Sequence, residues 1–297
     1  MSPPGGVELG RAELLWVVEQ CGGDAWPYPL LRSHWPAETE RESALHRARA
    51  EDRLRERGLL APESAAFLLA LGQVVRDWSV AVDLVVRTAE GPAAEGRPNG
   101  PAGWGRPAAA RAVVAVSDGH RGMLLASADH DTAPVGVWPV RPDRLPEAVL
   151  GLVGPIRPGA GPTVGVPAEV LAPPAAAPAG TPPGADGPGP DPDAPGTRRS
   201  VEARRHVRRL VDTADGWAIA GVAVRAPNDP HGPPGVPARR APLVMWLDGP
   251  HGTHRVVHDP RGGAARALVA PVDHAVLAAD LHRLVGDVPP PSGRRTA

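Results

Sequence analysis

Two stretches of this chain end in the same way. "GVWPVRPDRLPEAVLGLVG" (Gly136 to Gly154) and "ALVAPVDHAVLAADLHRLVG" (Ala267 to Gly286) each run an apolar, strand-like piece through Pro-Val into a helix-like piece that stops at Leu-Val-Gly. The agreement extends upstream. An Asp-Gly pair, a strong hairpin signal, stands at Asp118-Gly119 and again at Asp248-Gly249. The second pair follows the first by 130 positions, and the closing glycines are separated by 132. A near-constant offset across strand, turn, strand and helix is the mark of a duplicated unit. Whatever this chain folds into must be buildable twice.

The unit itself reads from local pattern. In the first half, helices are expected at residues 11–20, at 37–59 with a thin apolar stripe, and from Pro62, a residue suited to the first helical turn. Short β-branched runs then predict strands at 80–87, 112–117, 122–128 and 135–140, and a helix at 141–154. The second half predicts a helix at 201–212, strands at 218–225, 243–247, 254–258 and 267–272, and a helix at 273–285. Strands joined by hairpins pair antiparallel. The expected class is therefore α+β, with two quasi-two-fold related helix–antiparallel-sheet–helix halves. Two such sheets joined edge to edge would hide two exposed edges. Residues 1–171 form the first half and 199–289 the second. Between them, residues 172–198 carry no large apolar side chain up to Thr197 and read as a disordered linker, with a disordered tail at 290–297.

Composition removes several kinds of chemistry. All 32 basic residues are Arg. Without Lys, neither a Walker P-loop nor a Schiff base is available. A formal net charge of −1 argues against a general nucleic-acid binder. Cys21, the single cysteine, rules out intrachain disulfides and cysteine zinc sites. The N-terminus "MSPPGGVELGRAELLW" lacks a basic region followed by an apolar run, and no stretch is apolar enough to span a membrane. The expectation is a soluble cytoplasmic protein.

No hydrolase elbow, zincin motif or dinucleotide fingerprint is present. His251, His254 and His258 are close in sequence. On a strand, His254 and His258 stand about 13 Å apart, too far to share one metal. No catalytic residue, cofactor or metal is assigned. On the 201–212 helix, Ala203, Val207, Leu210 and Val211 share one arc, while Arg205, Arg208 and Arg209 share the other. This Arg-rich helix, residues 198–212, supports an alternative reading as a regulatory or anion- and nucleic-acid-binding protein. Eight Trp stand against one Phe and one Tyr. Trp16, Trp138, Trp217 and Trp246 fall inside expected elements and read as core. Trp26, Trp35 and Trp104 fall in Pro/Gly-rich loops, folded back onto the core or presented to a partner.

Three passages carry a family resemblance: "VELGRAELLWVVEQCG", "WPYPLLRSHWPAETERE", and "AGVAVRAP" with the later "APLVMWLDGPHGTHRVV". In their order, and in the duplication, they resemble the EspG proteins, chaperones of actinobacterial type VII (ESX) secretion. The resemblance implies a central antiparallel sheet with helical bundles and no catalysis or cofactor. It also implies a chaperone that caps the apolar tip of the PPE helices in a PE–PPE heterodimer, or holds another helical ESX substrate, keeping it soluble for delivery. No nucleic acid is expected as a partner, and a homodimer is left open. The partner-binding candidates are Trp26, Tyr28, Leu31, Trp246 and Arg255.

Overall fold

The computed structural model describes residues 6–23, 30, 39–88, 112–128, 133–154, 156–171, 195–225, 239–240, 243–259 and 266–287. Trp26, Tyr28, Leu31, Trp35 and Trp104 lie outside the described residues, as do positions 172–194 and the tail.

Strand β1 (Val7–Leu9) leads into helix α1 (Arg11–Gln20), followed by α2 (Glu40–Glu56) and α3 (Pro62–Asp77). The start of α2 is set by chemistry local to "TERE". Thr39 accepts from the Glu42 N–H at 3.2 Å, and the Glu42 carboxylate accepts the Thr39 N–H at 3.1 Å, a capping box that satisfies two otherwise orphaned donors. Glu13 serves α1 similarly, accepting the Gly10 N–H at 2.7 Å. It is buried, and Arg57 at the end of α2 also donates to it at 2.6 Å while donating to the Glu8 carbonyl. One carboxylate thus ties β1, α1 and α2 together.

Strands β2 (Val80–Thr88), β3 (Ala112–Ser117), β4 (Gly122–Ser127) and β5 (Val135–Val140) complete the first sheet unit. The β3–β4 hairpin turns at Asp118, where expected. Gly119 has φ +95, and the Asp118 carboxylate accepts the His120 and Arg121 N–H groups. The helix expected over 141–154 is shorter. A 3-10 turn (Pro142–Arg144) precedes α4 (Leu145–Gly151). Pro146 has no N–H to give to a preceding turn, so the α-helix restarts there.

Strand β6 (Val164–Pro167) was not anticipated. A 3-10 turn (Ala168–Leu171) follows it, and α5 runs Pro195–Asp212, starting six residues before the expected 201. A proline in the first turn of a helix gives up an N–H that would be unpaired anyway. The rest is β7 (Gly216–Val224), β8 (Arg239–Arg240), β9 (Val244–Asp248), β10 (His254–Asp259), β11 (Arg266–Pro271) and α6 (His274–Asp287).

Among the described residues all eleven strands form one sheet, in the order β1-β5-β4-β3-β2-β7-β9-β10-β11-β6, with β8 beside β7. The two halves join through β2 and β7, antiparallel over nine residue pairs from Val80↔Val224 to Thr88↔Gly216. Aligning Arg87 with Arg225, an offset of 138, places Asp83 on Gly221, which is its own register partner. The pseudo-two-fold axis therefore passes between those two residues.

Alternation along the strands sorts the core into layers. Ala218, Ala220 and Val222 face one side, where α4 and α6 cover Val82, Leu84, Val113 and Trp246. The opposite side carries two separate clusters. One joins α1–α3 to Val114, Val116, Leu125 and Val137. The other joins α5 to Leu247, Val256 and Val269. The apolar arc expected on α5 makes this contact, with Ala203, Val207, Leu210 and Val211 all packed there.

Candidate partner-binding surface

Because α3 sits over the first half and α5 over the outer strands of the second, the middle of that face lies between two helical layers. Two short rows of residues cross it. Val85 pairs with Ile219, and Ile219 with Met245. One step along, Asp83 pairs with Gly221, and Leu243 lies against Gly221: a Cβ built there would stand 3.0 Å from the Leu243 Cδ2. Val85, Ile219 and Met245 are half-buried, and Leu243 is 51% exposed. Val85 and Ile219 belong to none of the three core clusters. Among the described residues, this is a strip of aliphatic side chains crossed by the buried carboxylate of Asp83, and its Val85–Ile219 centre lies outside the three core clusters.

The strip is rigid from beneath. Val82, Leu84, Ala218, Ala220 and Trp246 anchor its reverse side, each at most 2% exposed. Its flank near α3 is braced by Arg225, whose guanidinium donates to the Arg76 carbonyl at 3.2 Å and stacks 6.0 Å from the Trp78 ring centroid. Arg76 also donates to the Cys21 carbonyl at 2.7 Å. Burial raises the Cys21 thiol above its ordinary range, against the opposing pull of Arg76, and the thiol packs against Gly72. It is a buried core group.

Of the five residues selected from sequence, Trp246 and Arg255 are described, and they are register partners across β9 and β10. Both stand on the side covered by α6. Trp246 is 2% exposed, and Arg255 pairs with Asp280 of α6, a carboxylate also held by Arg283. Trp16, Trp138 and Trp217 are half-buried, so Trp246 alone of these four is fully enclosed. The basic arc of α5 points outward, with Arg205 and Arg209 exposed and Arg208 paired to Asp212 at 3.0 Å. Sequence reading missed Val85, Ile219, Leu243 and Met245. Their one signal was composition: apolar residues on both faces of β2, β7 and β9, where a one-sided sheet would show polar residues.

Compared with known proteins, the sequence matches the model of the EspG family over residues 11–283. The chain belongs to the EspG family. No curated protein matches it. Among solved structures it is similar to the Mycobacterium tuberculosis type VII secretion system chaperone EspG5, in complex with a PE25–PPE41 dimer. The TM-score is 0.60 at 11% identity, over 96% of this chain and 97% of that one. At that identity the likeness is one of fold, and it spans both EspG halves together with their shared sheet. Among the described residues of this EspG protein, no helix is long and apolar enough to cross a membrane.

Proposed function

We propose that this EspG protein is a type VII secretion chaperone. It holds a helical client, a PE–PPE-type pair, with the apolar end of the client seated on the strip between α3 and α5. The observation that carries this reading is the strip itself, in a chain of this family. Half-buried aliphatic side chains lie on a sheet already braced from behind, which is the preformed surface that a helical tip needs. Seating Leu243 alone would remove an aliphatic side chain from water, worth about 1–2 kcal/mol given its partial exposure. The role is binding, and no step of covalent chemistry is assigned.

Trp26, Tyr28 and Leu31 are proposed to extend the contact surface. Trp246 and Arg255 support it from the reverse face by fixing the β9–β10 register under α6.

Affinity purification of the tagged chain from its native cells, with mass spectrometry of bound proteins, tests the reading. A near-stoichiometric helical pair that is lost with Leu243→Gln supports it. Recovery of the same pair by the Gln variant at wild-type yield removes the strip from the proposal. Recovery of nucleic acid, or of no protein, sinks the chaperone role itself.

A further inference from the structure

Three pieces of chain meet at one histidine. The segment after α4 crosses the start of β10. The Thr253 N–H donates to the Arg157 carbonyl at 2.6 Å, the Gly159 N–H donates to the Thr253 carbonyl at 3.0 Å, and Pro158 bridges Thr253 in parallel. Beneath this strap lies His254, 1% exposed, with Nδ1 3.3 Å from the Gly252 carbonyl and Nε2 3.2 Å from the Ala160 carbonyl. Gly159 is required: a Cβ there would stand 2.2 Å from the imidazole. The third piece is α5, whose His206 ring meets His254 edge to face, centroids 6.2 Å apart, and lies beside Gly161 of the strap.

We propose that His206 is an acid-sensitive clasp: its neutral ring holds α5 against the strap and the β10 entry, and its protonation releases them. The charged groups that act on it most strongly are basic. Burial first, then His254, Arg209 and His251, disfavour its protonated form and lower its pKa from the ordinary histidine value. Among the described residues, no carboxylate counters this shift. Asp248, from the β9–β10 turn, accepts the Thr253 hydroxyl at 3.0 Å. Glu202, one turn back on α5, and Glu169, on the 3-10 turn that packs against α5, are exposed. Strand β6 contributes no titratable group. A histidine whose folded pKa is depressed contributes stability that is present above its unfolded pKa and lost as pH falls below it. Among the described residues no cluster of His, Cys, Asp and Glu could hold a metal ion. The clasp does not depend on what occupies the strip.

The test is hydrogen exchange of the full chain at about pH 7.5 and about pH 5.5, corrected for intrinsic rates, in wild type and His206→Gln. The expected result is that α5 amides lose protection at the lower pH in wild type, roughly tenfold for each unit of pKa depression, while those of α1–α3 do not. In the Gln variant, α5 protection should be the same at both pH values. Equal losses in wild type and variant, or a loss spread evenly over α1–α3, overturn the clasp. Should the variant fail to fold, NMR titration of the His206 ring proton in wild type decides. A midpoint below that of an exposed histidine is expected, and one at or above it overturns the proposal.

Discussion

The carboxylate of Asp83 lies over the backbone of Gly221, its partner across the β2–β7 seam, and a Cβ at position 221 would stand 3.2 and 3.3 Å from its two oxygens. This pair marks the pseudo-two-fold axis. Exact symmetry would place the same residue on both strands, so two aspartates would face each other there; a glycine opposite one aspartate avoids that repulsion and gives Leu243 room to lie flat. Replacing Gly221 by Val should destabilise the protein by about 1–3 kcal/mol, the usual cost of overpacking. Thermal unfolding checks it, with Gly151→Ala as the contrast. No atom lies within 4 Å of a Cβ at Gly151, so that change should be neutral or slightly stabilising.

Leu243 and Trp246 stand three positions apart and have opposite duties. Trp246→Ala opens a cavity under α6 and should cost about 3–5 kcal/mol. Leu243→Gln, a polar but uncharged change that adds no second carboxylate beside Asp83, should leave the melting temperature nearly unchanged, because that side chain is already 51% exposed. Its effect should be on the client complex, with dissociation faster by about tenfold or more. Denaturant melts and surface-plasmon dissociation rates, taken together, separate the two.

Asp280 holds Arg255 of β10 and Arg283 of its own helix from a side chain 3% exposed. Asp280→Ala should cost about 2 kcal/mol, the scale of hydrogen bonds to a charged group, reduced because Arg283 is largely in water. Chemical denaturation reads the loss. Arg283→Ala should cost far less, since its guanidinium remains hydrated.

The β3–β4 turn has its own pH dependence. Burial opposes ionisation of Asp118, but the Arg121 and His120 N–H groups and the Arg121 guanidinium outweigh it and hold the pKa below the ordinary aspartate value. Stability from this carboxylate is therefore complete above its unfolded pKa and is lost as pH falls through the folded one. Asp118→Ala should be less stable than wild type by about 1 kcal/mol at neutral pH. The difference should shrink toward zero in strong acid, as followed by denaturation midpoints across pH.

Much of this was readable from residues in order. The polar stretch 37–59 with its thin apolar stripe announces a helix because helical period is local, while the start at Glu40, three residues later than expected, is set by the Thr39–Glu42 hydrogen bonds. Asp118-Gly119 announces a hairpin because a positive φ is a local demand. The arc of Ala203, Val207, Leu210 and Val211 shows the buried face of α5 because helical period is a property of the helix alone. The EspG resemblance rested on the same order of local features, and the family match spans both halves. Trp246 and Arg255 were chosen as contact residues from that framework. Their common placement beneath α6 depends on the β9–β10 register, which no local signal states.

Sequence alone, then, determined the duplicated unit, most of its strands and helices apart from β6 and β8, its hairpin turns and its family, since each is encoded by spacing within a few residues or by repetition at similar offsets. Only the tertiary structure decided that the halves join through β2 and β7 and that β6 serves the second half's edge by pairing with β11. It also decided that Val85, Ile219, Met245 and Leu243 form an apolar strip between two helical layers, and that Gly159 closes over His254. Those are pairings between residues tens to more than a hundred positions apart. Their energy comes from burial and register across the sheet, and neither exists until the chain has closed on itself.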